Sequence, residues 1–138
     1  MNFNKTTVYA FRILCFMAQD ETKLYNADEI FKKIQIPYRY LRKLMTNLTK
    51  SDFIVSIQGK NGGYKISKNT EDIKLIDILN AVDPEYLSGK CFFGFDSCTL
   101  QTECIMHDQW NEIRTNINDI LGRTSLSDIK QDTIENLF

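Results

Sequence analysis

Three cysteines, Cys91, Cys98 and Cys104, crowd into fourteen residues, and the only histidine of the chain, His107, stands three residues beyond the last of them. Three thiolates and a neutral imidazole make a complete four-ligand set for a soft or borderline metal. His107 lies one helical turn past Cys104, so both side chains can point to one side of a helix that starts there. Gly94 and the polar pair Asp96-Ser97 let the intervening loop wrap back, while Phe92, Phe93 and Phe95 can screen a bound centre from water. Structural zinc suits the same ligands, and a metal-free thiol switch is the other reading. Cys15, inside an apolar stretch, is a small buried hydrophobe.

A second group has nucleic-acid chemistry. Arg39, Arg42, Lys43 and Thr46 share one face of a helical segment led by Tyr38, and Lys60 and Asn61 sit at a glycine-rich turn. Arginine donates two hydrogen bonds to guanine, worth ~1–3 kcal/mol of discrimination. Sets for enzymatic chemistry are missing. There is no Cys-x-x-Cys redox pair, no Ser/His/Asp or paired-carboxylate constellation stands out, and one histidine leaves little acid–base chemistry. The expected protein is not an enzyme.

Charge supports a division of labour. The net charge of the 138-residue chain is −1, yet residues 1–68 carry twelve Lys/Arg against five Asp/Glu, and residues 69–138 carry five against thirteen. A front of +7 can meet a polyanion, while a rear of −8 keeps the molecule soluble and away from non-specific phosphate contacts. The mix of 43% hydrophobic and 25% charged residues is that of an ordinary globular chain. No apolar run approaches the ~20 residues that span a bilayer, and residues 1–7 lack a signal-peptide core. A cytoplasmic protein without a membrane partner is expected, and in that reducing compartment the cysteines are not structural disulfides.

These side chains need elements to place them. Val8 to Met17 is apolar nearly all round and predicts a buried helix. Asn26 and Glu29 have capping-box spacing at the head of a short helix, with Ile30, Phe31 and Ile34 inward and Lys32 and Lys33 outward. Pro37 suits the first position of the next helix, where Leu41, Leu44, Met45 and Leu48 form an inward stripe. Phe53 to Gln58 is β-branched and aromatic, Gly59 to Gly63 a tight turn, and Tyr64 to Ser67 a return strand. Two strands are unstable alone, so this hairpin must lie against the helices. Leu75, Ile78, Leu79 and Val82 mark a fourth helix stopped by Asp83-Pro84. After an irregular loop, Met106, Trp110, Ile113, Ile117 and Ile120 mark a long helix from about Ile105 to Leu121, ended by Gly122.

This order is a winged helix-turn-helix: mainly α with a small β-hairpin, plus a long C-terminal helix. Residues 1–84 form the DNA-binding head, 85–104 the cysteine-bearing sensor loop, and 105–138 the long helix and tail. The third helix enters the major groove of double-stranded DNA with its N-terminal side chains leading. Tyr38, Arg39, Arg42, Lys43 and Thr46 are its candidate contacts, and Lys60 and Asn61 reach backbone or minor groove.

The chain resembles the IscR/NsrR/CymR (Rrf-two) family of bacterial winged-helix regulators over almost its whole length. The matching stretches are Tyr9-Ala10, Ala27-Asp28-Glu29-Ile30, Ile36-Pro37 with Leu41, Gly59-Lys60-Asn61-Gly62-Gly63-Tyr64, Leu75-Ile76-Asp77-Ile78 and the three cysteines. The resemblance implies a homodimer formed through the long helix, here by Met106, Trp110, Ile113, Ile117 and Ile120. It also implies an iron–sulfur cluster on the three cysteines, two-iron in preference to four-iron, with zinc or no metal as alternatives. Two departures bear on the fourth ligand. IscR and NsrR space their cysteines by five and five, whereas here six and five residues intervene. NsrR-like members take an aspartate from the partner's first helix, a position held here by Val8; IscR-like members use a histidine three residues past the last cysteine, as His107 stands.

The expectation is a dimeric regulator whose operator affinity follows the cluster or redox state of the Cys91/Cys98/Cys104/His107 loop. A zinc-bound or metal-free thiol-switch regulator of the same fold is the alternative. A small iron–sulfur electron carrier is the rival from another class.

Overall fold

In the computed structural model the described residues are 3–86, 88–98, 100 and 103–129. Among them are helices α1 (Lys5–Met17), α2 (Ala27–Ile34), α3 (Tyr38–Lys50), α4 (Leu75–Val82) and α5 (Ile105–Arg123). An antiparallel hairpin, β1 (Ile54–Ile57) and β2 (Gly63–Ile66), follows α3. Single 3₁₀ turns cover Thr70–Asp72 and Leu126–Asp128.

Helix α1 is the centre of the head. Ala10, Ile13, Leu14 and Met17 are wholly buried there, and Ile30, Leu41, Leu48, Ile54, Ile73 and Ile78 close around them. Helix α2 starts with the expected capping box: Asn26 Oδ1 accepts from the Glu29 N–H at 2.8 Å, and Glu29 Oε2 accepts from the Asn26 N–H at 3.1 Å. In α3 the stripe Leu41, Leu44, Met45 and Leu48 is buried, which turns the basic residues outward.

Four local expectations are corrected. Pro37 caps α3 rather than opening it, its carbonyl accepting from the Tyr40 and Leu41 N–H groups. Phe31 faces outward, since α2 is short and its core contact is met by Ile30 and Ile34; its ring packs edge-on against Tyr38, 5.8 Å between centroids. The first strand is shorter than expected, four residues instead of six, and the second has the expected four but starts one residue earlier, at Gly63. Gly122 lies within α5, which ends at Thr124 instead, where the chain is captured by the segment before α4. There the Leu75 N–H donates to the Thr124 carbonyl at 2.9 Å and the Leu126 N–H to the Ile73 carbonyl at 3.0 Å.

Two long-range pairings finish the head. Tyr25 and Tyr64 exchange backbone hydrogen bonds of 2.7 and 2.8 Å, so the hairpin gains a third paired residue from the loop before α2. Leu126, beyond α5, is buried in the head's core. The long helix is thus tied to the head at its far end.

Candidate functional site

The outward face of α3 carries Arg39, Arg42, Lys43 and Thr46, all exposed, with Tyr38 at its leading end. Among the described residues the ion pairs are Lys23 with Glu29, and Lys90 with Glu85 and Asp96. Among the described residues, no carboxylate lies within 4.0 Å of the α3 cations. Thr46 donates its hydroxyl to the Arg42 carbonyl, 3.0 Å away, which leaves its oxygen lone pairs outward. Lys60 and Asn61 stand exposed at the tip of the hairpin. The tip is tight because backbone crowds it: a Cβ on Gly62 would fall 2.0 Å from the Ile57 carbonyl oxygen, and one on Gly63 2.8 Å from that of Tyr25.

Two aromatic contacts, missed in the sequence, hold the start of α3. Phe31 braces Tyr38, and Tyr40 packs on Tyr9 at 5.8 Å while its hydroxyl meets that of Thr6. Periodicity does not show them, because each joins residues of different helices.

At the rear, one cavity of about 570 Å³ lies between the loop and the start of α5. Cys91, Cys98, Cys104 and His107 all line it, together with Phe92, Phe93, Phe95 and Trp110. The three loop cysteines are half-buried free thiols, whereas Cys15 is buried and its burial pushes the thiol up to about 11. Among the described residues no three His, Cys, Asp or Glu side chains already converge as a site for a metal ion. The four candidates thus surround a space rather than a point. The phenylalanines line the cavity but are themselves exposed, Phe95 by 67%, so one chain alone does not shield it.

Helix α5 holds the loop. The Trp110 indole donates to the Lys90 carbonyl at 3.1 Å, and Phe92 packs edge-on to the same ring at 5.6 Å, so both neighbours of Cys91 are tied to one side chain. The cap of α5 is Cys104, whose carbonyl accepts from the His107 N–H at 3.0 Å. Asn111 contacts the His107 ring, and Arg114 contacts Asn111. Further along, Ile113 and Ile120 are exposed, Met106, Trp110 and Ile117 half-buried, and Leu121 is the only residue of α5 that is buried. No helix among the described residues is long and apolar enough to cross a membrane.

Comparison with known proteins agrees with this anatomy. The model of the Rrf2 family, described as iron-dependent transcriptional regulators, matches residues 3–132. The regulator NsrR of Oceanobacillus iheyensis is 30% identical over 94% of this chain and 89% of its own. Among solved structures, CymR, the global cysteine regulator of B. subtilis, superposes with a TM-score of 0.78 at 21% identity, covering 94% of this chain and 95% of that one. IscR of T. potens gives 0.78 at 20% identity, covering 100% and 92%. At those identities the two structures bear on the fold alone.

Proposed function

Because this chain belongs to the Rrf2 family of DNA-binding transcriptional regulators, we propose that it is a homodimeric regulator whose operator affinity is set by an iron–sulfur cluster at its cysteine loop. The observation that carries this reading is the single cavity lined by Cys91, Cys98, Cys104 and His107. Those four residues would hold the cluster, which when bound supplies a link between loop and α5 sensitive to oxidation and iron supply. Zinc asks for four ligand atoms about 2.0–2.3 Å from one point. A cavity of about 570 Å³ with no convergent ion site among the described residues suits a larger group better. Mixed thiolate and imidazole ligation favours the two-iron form.

The head does the reading. Arg39 and Arg42 would address base edges in the major groove, with Tyr38, Lys43 and Thr46 beside them and Lys60 and Asn61 of the wing on the flanking backbone. A second copy of the chain would cover Ile113 and Ile120, whose exposure on a long helix is hard to explain in a monomer, with Met106, Trp110 and Ile117 completing the seam.

Coupling follows from how α5 is held. Its far end is fixed to the head by the bonds from Leu75 and Leu126, and its near end carries Cys104 and His107. A change in the loop's path moves α5 relative to the head, and through the dimer it alters the distance between the two α3 helices. Half-site recognition depends on that distance, so affinity changes without a change in any base contact.

The test is an iron and sulfide assay with an absorption spectrum on anaerobically purified protein. Brown protein with matching iron and sulfide supports the reading. Colourless protein holding stoichiometric zinc contradicts it.

A further inference from the structure

Along α5, His107, Asn111 and Arg114 fall at i, i+4 and i+7, one above another on a single face. Arg114 Nη2 donates to Asn111 Oδ1, and Asn111 Nδ2 lies 3.3 Å from His107 Nε2. A guanidinium has only donors, so the oxygen of Asn111 must face Arg114 and its NH₂ must face the ring. An NH₂ group can only donate. Nε2 of His107 must therefore be bare, and the proton of the neutral ring must sit on Nδ1.

We propose that Asn111 and Arg114 are positioning residues for His107, holding its ring in the Nδ1–H form and occupying the lone pair with which it would bind a metal. The inference deepens the cluster reading and takes from it only the role of His107 as a ligand. Ligation through Nε2 must displace the Asn111 amide. Ligation through Nδ1 requires the proton to move to Nε2, where the Asn111 NH₂ would oppose it and Arg114 prevents the amide from turning. By either route one hydrogen bond is lost, which makes His107 the ligand most readily exchanged. Arg114 is itself poorly placed to let go. Its head lies over Gly89, where an added Cβ would come 3.4 Å from Nη1, so there is little room for it to shift on that side.

The experiment is the ¹⁵N spectrum of the imidazole in metal-free, full-length protein at alkaline pH. A single histidine gives one unambiguous pair of signals. The wild type is expected to show Nδ1–H, whereas imidazole in water prefers Nε2–H. Asn111→Leu and Arg114→Leu are expected to return the ring to Nε2–H, and Arg114→Lys, which can still donate to Asn111, to retain Nδ1–H. A purely structural role would leave the tautomer unmoved. Nε2–H in the wild type, or Nδ1–H surviving in Arg114→Leu, overturns the proposal. In the iron-loaded protein, Asn111→Leu is expected to slow cluster loss ~5-fold, the factor equivalent to one hydrogen bond of ordinary net strength; unchanged or faster loss contradicts the competition. If the wild type shows Nδ1–H yet binds no iron and sulfide, the relay stands and the cluster reading falls.

Discussion

The indole N–H of Trp110 ends on the backbone carbonyl of Lys90, 3.1 Å away, so the first stretch of the cysteine loop is fastened to the long helix within one chain. Phe92 packs edge-on against the same ring. Cys91 lies between these two anchored neighbours, and its position on the cavity wall is set by a side chain nineteen residues further on.

Replacing Trp110 with Phe keeps a ring for Phe92 and removes the donor. The loss is expected to be about 1 kcal/mol, the net value of one hydrogen bond. Hydrogen exchange should quicken several-fold at residues 89–92 and stay unchanged in α1. Unaltered exchange in the loop would show that the bond does not hold it.

Arg39→Ala with Arg42→Ala should abolish the preference for an operator over random duplex, since each bidentate contact to guanine is worth ~1–3 kcal/mol. Lys60→Ala should instead weaken all duplexes alike and lower the slope of log affinity against log salt by about one. Selectivity that survives the double substitution would move the reading surface away from α3.

Two glycines should respond with opposite signs. At Gly62 an added methyl collides with the Ile57 carbonyl, so Gly62→Ala must distort the wing and is expected to weaken DNA binding and lower Tm. At Gly122 nothing lies within 4 Å and the residue is helical, so Gly122→Ala should add roughly 0.5–1 kcal/mol and raise Tm by a few degrees. Thermal melts and operator titrations of both variants check this.

Glu21 ties the end of α1 to the turn after the wing, accepting from the Thr70 N–H at 2.7 Å. Hydrogen bonding from Thr70 holds its carboxyl below the ordinary value of 4.5. A carboxyl with a lowered folded-state value takes up its proton later than in the unfolded chain. Its contribution is thus present above pH 4.5 and is lost as pH falls below that value. Glu21→Gln should flatten the dependence of stability on pH between ~5 and ~3, as read by urea melts. An unchanged slope would assign acid sensitivity to other carboxylates.

What the sequence displays is whatever repeats locally. The capping box of Asn26 and Glu29, the α3 stripe from Leu41 to Leu48 and the stop of α4 at Asp83-Pro84 depend on neighbours within a few turns, and each stands as expected. What local patterns do not display is contacts between different elements. Phe31 looks like core until Tyr38 offers it an aromatic partner outside. Gly122 looks like a stop, but no tertiary feature ends the helix before Thr124 meets Leu75. Leu126 shows no periodic partner, although it is buried in the head. The cysteine–histidine group is visible as a ligand set, and the i, i+4, i+7 spacing of His107, Asn111 and Arg114 puts them on one helix face; that they bond to one another, and that Trp110 reaches back to Lys90, spacing alone does not tell.

Under the proposed function the basic head selects DNA and the thiol-lined rear governs that selection. Its most direct test is a selection of genomic fragments by the full-length protein, performed once anaerobically with iron and sulfide bound and once metal-free. The expected result is a small discrete set of enriched fragments whose enrichment differs at least tenfold (about 1.4 kcal/mol) between the two forms. Equal recovery of all fragments by both forms would contradict it.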